Sequence, residues 1–152
     1  MSSRQTLKDH SLLVFVVKGY LYRALPIEGY HGYFATTCGR IISCVSGYNG
    51  RNKARIDKSS PRILKPQNKG GGYKKVILTT RDGTQHQEIV HRIIARTFLK
   101  HGGYDRNDKE RWHVNHINGN PSDNRLCNLE YVTPKENSEW SILMKTCAKE
   151  AA

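Results

Sequence analysis

The sequence has no long apolar run. Its longest is residues 12–17, six side chains, against the roughly 20 a helix needs to cross a bilayer, and it matches the core of a signal peptide poorly. Membrane insertion and Sec export are therefore not expected. Closely spaced cysteines are missing as well. Cys38, Cys44, Cys127 and Cys147 form no CxxC pair, which argues against an all-cysteine zinc knuckle. Without an export signal a disulfide framework is not expected either, so the thiols read as reduced, in a cytoplasmic protein. Acidic residues are scarce: 13 Asp plus Glu stand against 25 Lys plus Arg, for a net charge of +12.

What is present bounds the rest. The 152 residues suit one domain or two very small ones, and 37% hydrophobic side chains can build one modest core but are too many for a disordered chain. The charge excess favours a polyanion. Nucleic acid is preferred over anionic lipid, because the cations do not lie along an amphipathic helix with a bulky apolar face. The stretch 46–75 holds Arg51, Lys53, Arg55, Lys58, Arg62, Lys65, Lys69, Lys74 and Lys75 against Asp57 alone, two thirds of the whole excess. It also holds Gly47, Gly50, Gly70, Gly71, Gly72, Pro61 and Pro66. That composition predicts a long, mobile excursion, a flexible basic loop over residues 46–72, which tracks a DNA backbone and orders on it.

Local patterns place the regular elements. Residues 12–17 and 20–25 read as strands, and residues 33–36 and 41–45 flank Cys38-Gly39-Arg40 as a short hairpin. A second hairpin, residues 73–80 and 85–90, turns at Asp82-Gly83. Over residues 90–99 the period becomes helical. Val90, Ile93, Ile94, Thr97 and Phe98 share one face, Arg92, Arg96 and Lys100 form a basic stripe on the other, and Gly102-Gly103 stop the helix. The last fifty residues predict a strand over 112–116, a polar loop, and an antiparallel partner over 129–132. Thr133 and Glu136 then write a capping box with Pro134 at the first helical position. Trp140, Leu143, Met144 and Cys147 recur at the spacing that buries one side of that helix.

The order strand, polar loop, strand, helix puts Asn115 and His116 at a strand exit and Asn137 in the first helical turn. Here the chain resembles the HNH (His-Me finger, ββα-metal) nucleases, specifically the phage homing-endonuclease branch. The residues that carry the likeness are His91-Arg92-Ile93-Ile94-Ala95 with Phe98, then Val114-Asn115-His116-Ile117-Asn118-Gly119-Asn120, Asn124, the run from Asn128 through Thr133, and Asn137. Residues 22–33 with Gly39-Arg40-Ile41-Ile42-Ser43 look like the short DNA-binding module that often precedes this domain, with Tyr22 where Trp is more usual. Together the likenesses cover roughly residues 20–140.

The resemblance implies an α+β fold: an amino-terminal antiparallel β-sheet with its basic loop, then a helix and a carboxy-terminal ββα-metal unit. The division falls between a DNA-binding module at 1–75 and an HNH nuclease domain at 76–152. It implies His116 as general base and Asn128 as the residue that pins the loop so that His116 is oriented. Asn115 and Asn137 would hold one divalent ion, Mg²⁺ with Mn²⁺ as a substitute, through amide oxygens that suit a hard cation. Asn115 stands where many relatives carry Asp, which implies weak affinity for the free ion, with Asp123 as a minor alternative ligand. The cations of the basic stretch, with Arg92 and Arg96, would grip double-stranded DNA. His91 as a lone histidine reads as a packed side chain. His113 and His116, three apart on a strand, fall on opposite faces and are not expected to share a metal. The implied reaction is hydrolysis of DNA to a 3′-hydroxyl and a 5′-phosphate, in the cytoplasm of a phage's bacterial host. One active centre per chain means a nick, or a double-strand cut by a homodimer on DNA. The competing reading is a catalytically silent DNA-binding relative that regulates transcription or packaging.

Overall fold

The computed structural model describes residues 11–49, 53–99 and 112–150. Five strands form the first antiparallel sheet: β1 (Leu13–Val17), β2 (Tyr20–Pro26), β3 (Tyr33–Thr36), β4 (Ile41–Ser43) and, after two further strands in the chain, β7 (Arg62–Ile63). The expected hairpin around Cys38-Gly39 is β3–β4, in the register Phe34↔Ile42. Gly39 adopts φ +81°, the left-handed conformation the tight turn requires. All four residues of β3 are buried, because apolar side chains cover both faces of this central strand.

Strand β5 (Val45–Asn49) pairs with β6 (Lys53–Ile56) as a two-stranded ribbon. A three-stranded sheet has β9 (Tyr73–Thr79) at its centre between β8 (Gln67–Gly70) and β10 (Gln85–Ile89). The β9–β10 turn closes as expected, with the Asp82 carboxylate accepting from the Thr80 hydroxyl and from the Thr84 amide. Helix α1 (Val90–Phe98) follows without a break and buries Val90, His91, Ile93, Ile94, Ala95 and Phe98. Then come β11 (His113–His116), its partner β12 (Leu129–Val132) and helix α2 (Pro134–Glu150). The protein is thus a mixed sheet and helix structure with an amino-terminal antiparallel sheet and a carboxy-terminal helix. Among the described residues no helix is long and apolar enough to cross a membrane.

The main core is shared across the sequence. Leu25, Ile27, Tyr33, Ala35, Ile41 and Val45 pack with Val76, Leu78, Val90, Ile93, Ile94, Phe98 and Leu129, so residues from both sides of position 75 bury one another. A second cluster on the other face of the first sheet joins Phe15, Val17, Ala24, Phe34, Ile42 and Cys44. Helix α1 lies at the centre of this arrangement and touches both β9 and β12.

Two expectations need correction. The basic stretch is not one long flexible loop: β5, β6, β7, β8 and the start of β9 run through it. The reason is apolar anchoring that the charges conceal. Ile56 and Ile63 pack on the second cluster and Leu64 on the first. Gly70, Gly71 and Gly72, all at positive φ, make the tight β8–β9 connection, so the glycines shape a hairpin here and do not loosen the chain. Helix α2 also buries less than its spacing predicts. Trp140 and Met144 are half-buried, Met144 against Gly119 of the loop between β11 and β12, but Leu143 is 51% exposed. The side chain of Cys147 and all of Lys100, Gly102 and Gly103 lie outside the described residues.

Candidate active site

The strand pair β11–β12 places Asn115 directly opposite Glu130, and His116 opposite Leu129. Thr133 then starts α2 with a reciprocal cap. Its backbone amide donates to Glu136 Oε2 at 2.8 Å, and the Glu136 amide donates back to Thr133 Oγ1 at 3.3 Å. This cap sets the angle at which Asn137 leaves the hairpin. Between the strands, the loop 117–128 is braced by its own amides. Asn128 Oδ1 accepts from the Asn118 backbone amide at 2.9 Å, while Asn128 Nδ2 donates to Asn118 Oδ1 at 2.9 Å and to the Asp123 carbonyl at 2.8 Å. Asn128 is buried, and with three such bonds it fixes the loop's width.

His116 closes β11 on the side that faces α1. It is 6% exposed and lies among rings: His91 sits edge-on at 4.9 Å between centroids, and Tyr73 is 6.1 Å away. Its Nε2 is 3.2 Å from Asn124 Oδ1. Burial lowers the imidazole pKa below its ordinary value, partly offset by the Asn124 hydrogen bond and the Asp123 charge, so the ring is neutral and able to accept a proton. His91 is driven further, down to about 3, by burial and then by His116, Arg92 and Lys69. Its Nδ1 is buried with no hydrogen-bond partner among the described residues. His91 is therefore a packed, uncharged side chain.

The opposite side of β11 carries His113 and Asn115, two residues apart and so on one face. Asn137 Nδ2 reaches His113 Nδ1 at 3.4 Å, which brings Asn137 to that face as well. Asn115 is 8% exposed, and its Nδ2 donates to Glu130 Oε1 at 2.9 Å. In both amides the nitrogen has a partner, and among the described residues no hydrogen bond reaches either Oδ1. Two amide oxygens with a carboxylate beside one of them are a hard-donor set of the kind Mg²⁺ takes. Asp123 is turned elsewhere: it pairs with Arg125 at 2.6 Å and accepts from Asn118 Nδ2, and its pKa falls to about 2 under the Arg125 bonds. The structure thus brings Asn115 and Asn137 to one face and leaves His116 on the other, at the strand end where the faces are separated by one residue. Sequence reasoning gave no role to Glu130 or Asn124. Each becomes visible only through hairpin register or loop closure.

The cations expected to grip DNA lie as follows. Lys69, on β8, and Arg92, on α1, are exposed, and their charges help hold the His91 pKa down. Arg55, Lys58 and Lys65 are exposed, with Lys58 Nζ 5.9 Å over the Phe34 ring. Lys74 and Lys75 donate to Asn68 and Gln87 on neighbouring strands. Two exposed arginines are engaged by partners within the fold. Arg62 donates to the Val45 carbonyl at 2.9 Å, and Arg96 pairs with Glu88 at 2.8 Å, a carboxylate that also accepts from the Tyr30 hydroxyl. Arg92 and Arg96 are both exposed on α1 as expected, and Arg96 is also paired with Glu88. Arg51 and the side chain of Lys53 lie outside the described residues.

With this geometry in view, the comparisons with known proteins decide the family. A family model described as HNH endonuclease matches residues 88–139, the span from the end of β10 through the first turns of α2. The chain carries an HNH endonuclease domain. A protein of Acanthamoeba polyphaga mimivirus named uncharacterized HNH endonuclease L247 is 31% identical over 125 residues, which cover 82% of this chain and 27% of the relative. The SPbeta prophage protein YosQ of Bacillus subtilis (strain 168), whose name describes an HNH homing endonuclease, is 43% identical over 68 residues, 44% of this chain and 35% of that one. The chain spans 27% to 35% of the length of the curated relatives it matches. A solved structure of the HNH homing endonuclease I-HmuI, described as binding and cleaving DNA, superposes with a TM-score of 0.56 at 25% identity, covering 85% of this chain and 65% of that one. The likeness reaches well beyond the HNH domain into the amino-terminal sheet.

Proposed function

We propose that the chain is a metal-dependent DNA endonuclease of the homing type, acting in the cytoplasm of a phage's bacterial host, with β11, β12 and α2 as its ββα-metal unit. One observation carries the reading: a neutral, buried imidazole, His116, ends β11 one residue after Asn115, whose amide shares a face with Asn137. A scissile phosphate seated at that strand end would meet His116 from one side and the two amide oxygens from the other. His116 takes a proton from a water whose oxygen bonds phosphorus. The P–O3′ bond breaks, and the departing oxygen is protonated to a 3′-hydroxyl, leaving a 5′-phosphate. A bound Mg²⁺ or Mn²⁺ would neutralise charge developing on the phosphate and leaving oxygen. Asn115 and Asn137 would hold it, with Glu130 orienting the Asn115 amide and supplying the negative charge a neutral ligand lacks. Asn128 keeps the loop closed, and Lys69 and Arg92 hold flanking phosphates of double-stranded DNA.

The test is nicking of supercoiled phage DNA. Cleavage is expected with Mg²⁺ or Mn²⁺, absent with EDTA, and abolished in His116→Ala while DNA binding persists. A His116→Ala protein that cuts at the parent rate overturns the base assignment. A parent that binds DNA but cuts with neither ion supports the competing reading, a silent HNH-fold DNA-binding protein, which draws on the neutral Asn115. Duplexes labelled on each strand separate a nick from a double-strand break.

A further inference from the structure

The loop that carries Asn124 is held from outside the HNH domain. The Leu126 amide donates to the Thr37 carbonyl at 3.0 Å, in the β3–β4 turn of the first sheet. A Cβ on Gly39, in the same turn, would lie 2.5 Å from the Asn124 carbonyl carbon and oxygen, so backbone meets backbone with no room between. Asn124 itself is 7% exposed. Its Nδ2 donates to the Ser122 carbonyl at 3.4 Å, which turns Oδ1 toward His116 Nε2 at 3.2 Å. An amide oxygen only accepts, so the imidazole nitrogen facing it must carry the hydrogen. The other ring nitrogen is then the one with a free lone pair.

We propose that Asn124 is a positioning residue that holds the His116 proton on Nε2 and leaves Nδ1 to accept the proton of the attacking water, and that the β3–β4 turn of the amino-terminal sheet holds Asn124 in place. The inference rests on the reading of His116 as the general base. When the water O–H bond breaks, its proton bonds Nδ1, and the doubly protonated ring carries the positive charge until solvent removes the proton. The upstream sheet, read from sequence as a DNA grip, then also shapes the catalytic geometry.

The ¹⁵N spectrum of the metal-free protein without DNA reads the tautomer directly, above the pH at which the ring protonates. The parent is expected to show Nε2–H. Asn124→Leu, which removes the acceptor, is expected to show mixed tautomers and a kcat about 10- to 100-fold lower with KM for DNA unchanged. Asn124→Asp keeps an acceptor oxygen and is expected to restore the Nε2–H form. Gly39→Ala should move the spectrum as Asn124→Leu does, whereas Gly29→Ala, at φ +82° but with nothing within 4 Å of the added carbon, should leave it unchanged. An Nδ1–H parent overturns the proposal whether or not any variant folds. So does an Asn124→Leu protein that keeps pure Nε2–H, and a Gly39→Ala protein indistinguishable from Gly29→Ala overturns the role of the turn. A parent with Nε2–H that cuts no DNA overturns the nuclease reading on which the proposal rests, not the Asn124 contact.

Discussion

Burial of His91 makes the stability of the fold depend on acid in a way one substitution should remove. The imidazole is held down to about 3, against an ordinary value of 6.5, chiefly because it is buried and then because His116, Arg92 and Lys69 are near. At about pH 7.5 the ring is neutral in both folded and unfolded chains and contributes nothing to the pH dependence. As the pH falls below 6.5 the unfolded chain takes up a proton that the folded chain refuses, so stability drops continuously until about pH 3. At about pH 5 the difference is about 2 kcal/mol, equivalent to a fall in Tm of roughly 4–8 °C for a chain of this size. His91→Phe keeps a ring against Tyr73 and His116 and removes the titrating nitrogens. Thermal unfolding followed by circular dichroism, for both proteins at the two pH values, compares slopes and not baselines. The parent should lose about 2 kcal/mol more than His91→Phe on acidification. Equal losses would show that the imidazole is not kept neutral by its surroundings. Some acid sensitivity should survive in the variant, because burial lowers His116 in the same direction.

Thr133→Ala should cost about 1 kcal/mol in urea unfolding through loss of the α2 cap, and an unchanged midpoint would mean the cap is not formed. Asn128→Leu strands the Asn118 amide and the Asp123 carbonyl and leaves Asn118 Oδ1 with only the Asn120 amide, so a loss of about 3 kcal/mol is expected, and a loss below about 1 kcal/mol would argue that the loop closes without it. Lys69→Ala and Arg92→Ala should each weaken DNA binding and reduce the log-log salt slope by about one, while Arg96→Ala should leave that slope unchanged and lower stability. Equal slopes for all three would mean that the Glu88 pair does not keep Arg96 off the phosphates.

What could be read from the residues was local. Cys38-Gly39, Asp82-Gly83 and the Thr133–Glu136 box each specify a turn or a cap within four residues, and the apolar period of 90–98 specifies the buried face of α1, so these elements stand where the spacing puts them. The basic stretch was misread because three anchors, Ile56, Ile63 and Leu64, are dispersed among nine cations and find their partners only across the fold. The partners of the exposed Arg62 and Arg96 were hidden for the same reason: the Val45 carbonyl and Glu88 that they bind are brought to them by the fold. At the site, Asn115, His116, Asn128 and Asn137 could be singled out from a pattern. Glu130 beside Asn115, and Asn124 beside His116, depend on strand register and on a loop clamped by a distant turn, which no spacing announces.

The continuous packing of Leu25, Ile27 and Ile41 with Val76, Ile93 and Leu129 has a consequence for how such proteins could be rebuilt. A graft that exchanged the front half for another unit at residue 75 would uncover apolar surface on both pieces and remove the wall behind the loop. Recombination, natural or engineered, would have to choose a seam elsewhere, and under the proposed function a shift of target preference would come more readily from altering exposed side chains such as Arg55, Lys69 and Arg92 than from transplanting the unit whole.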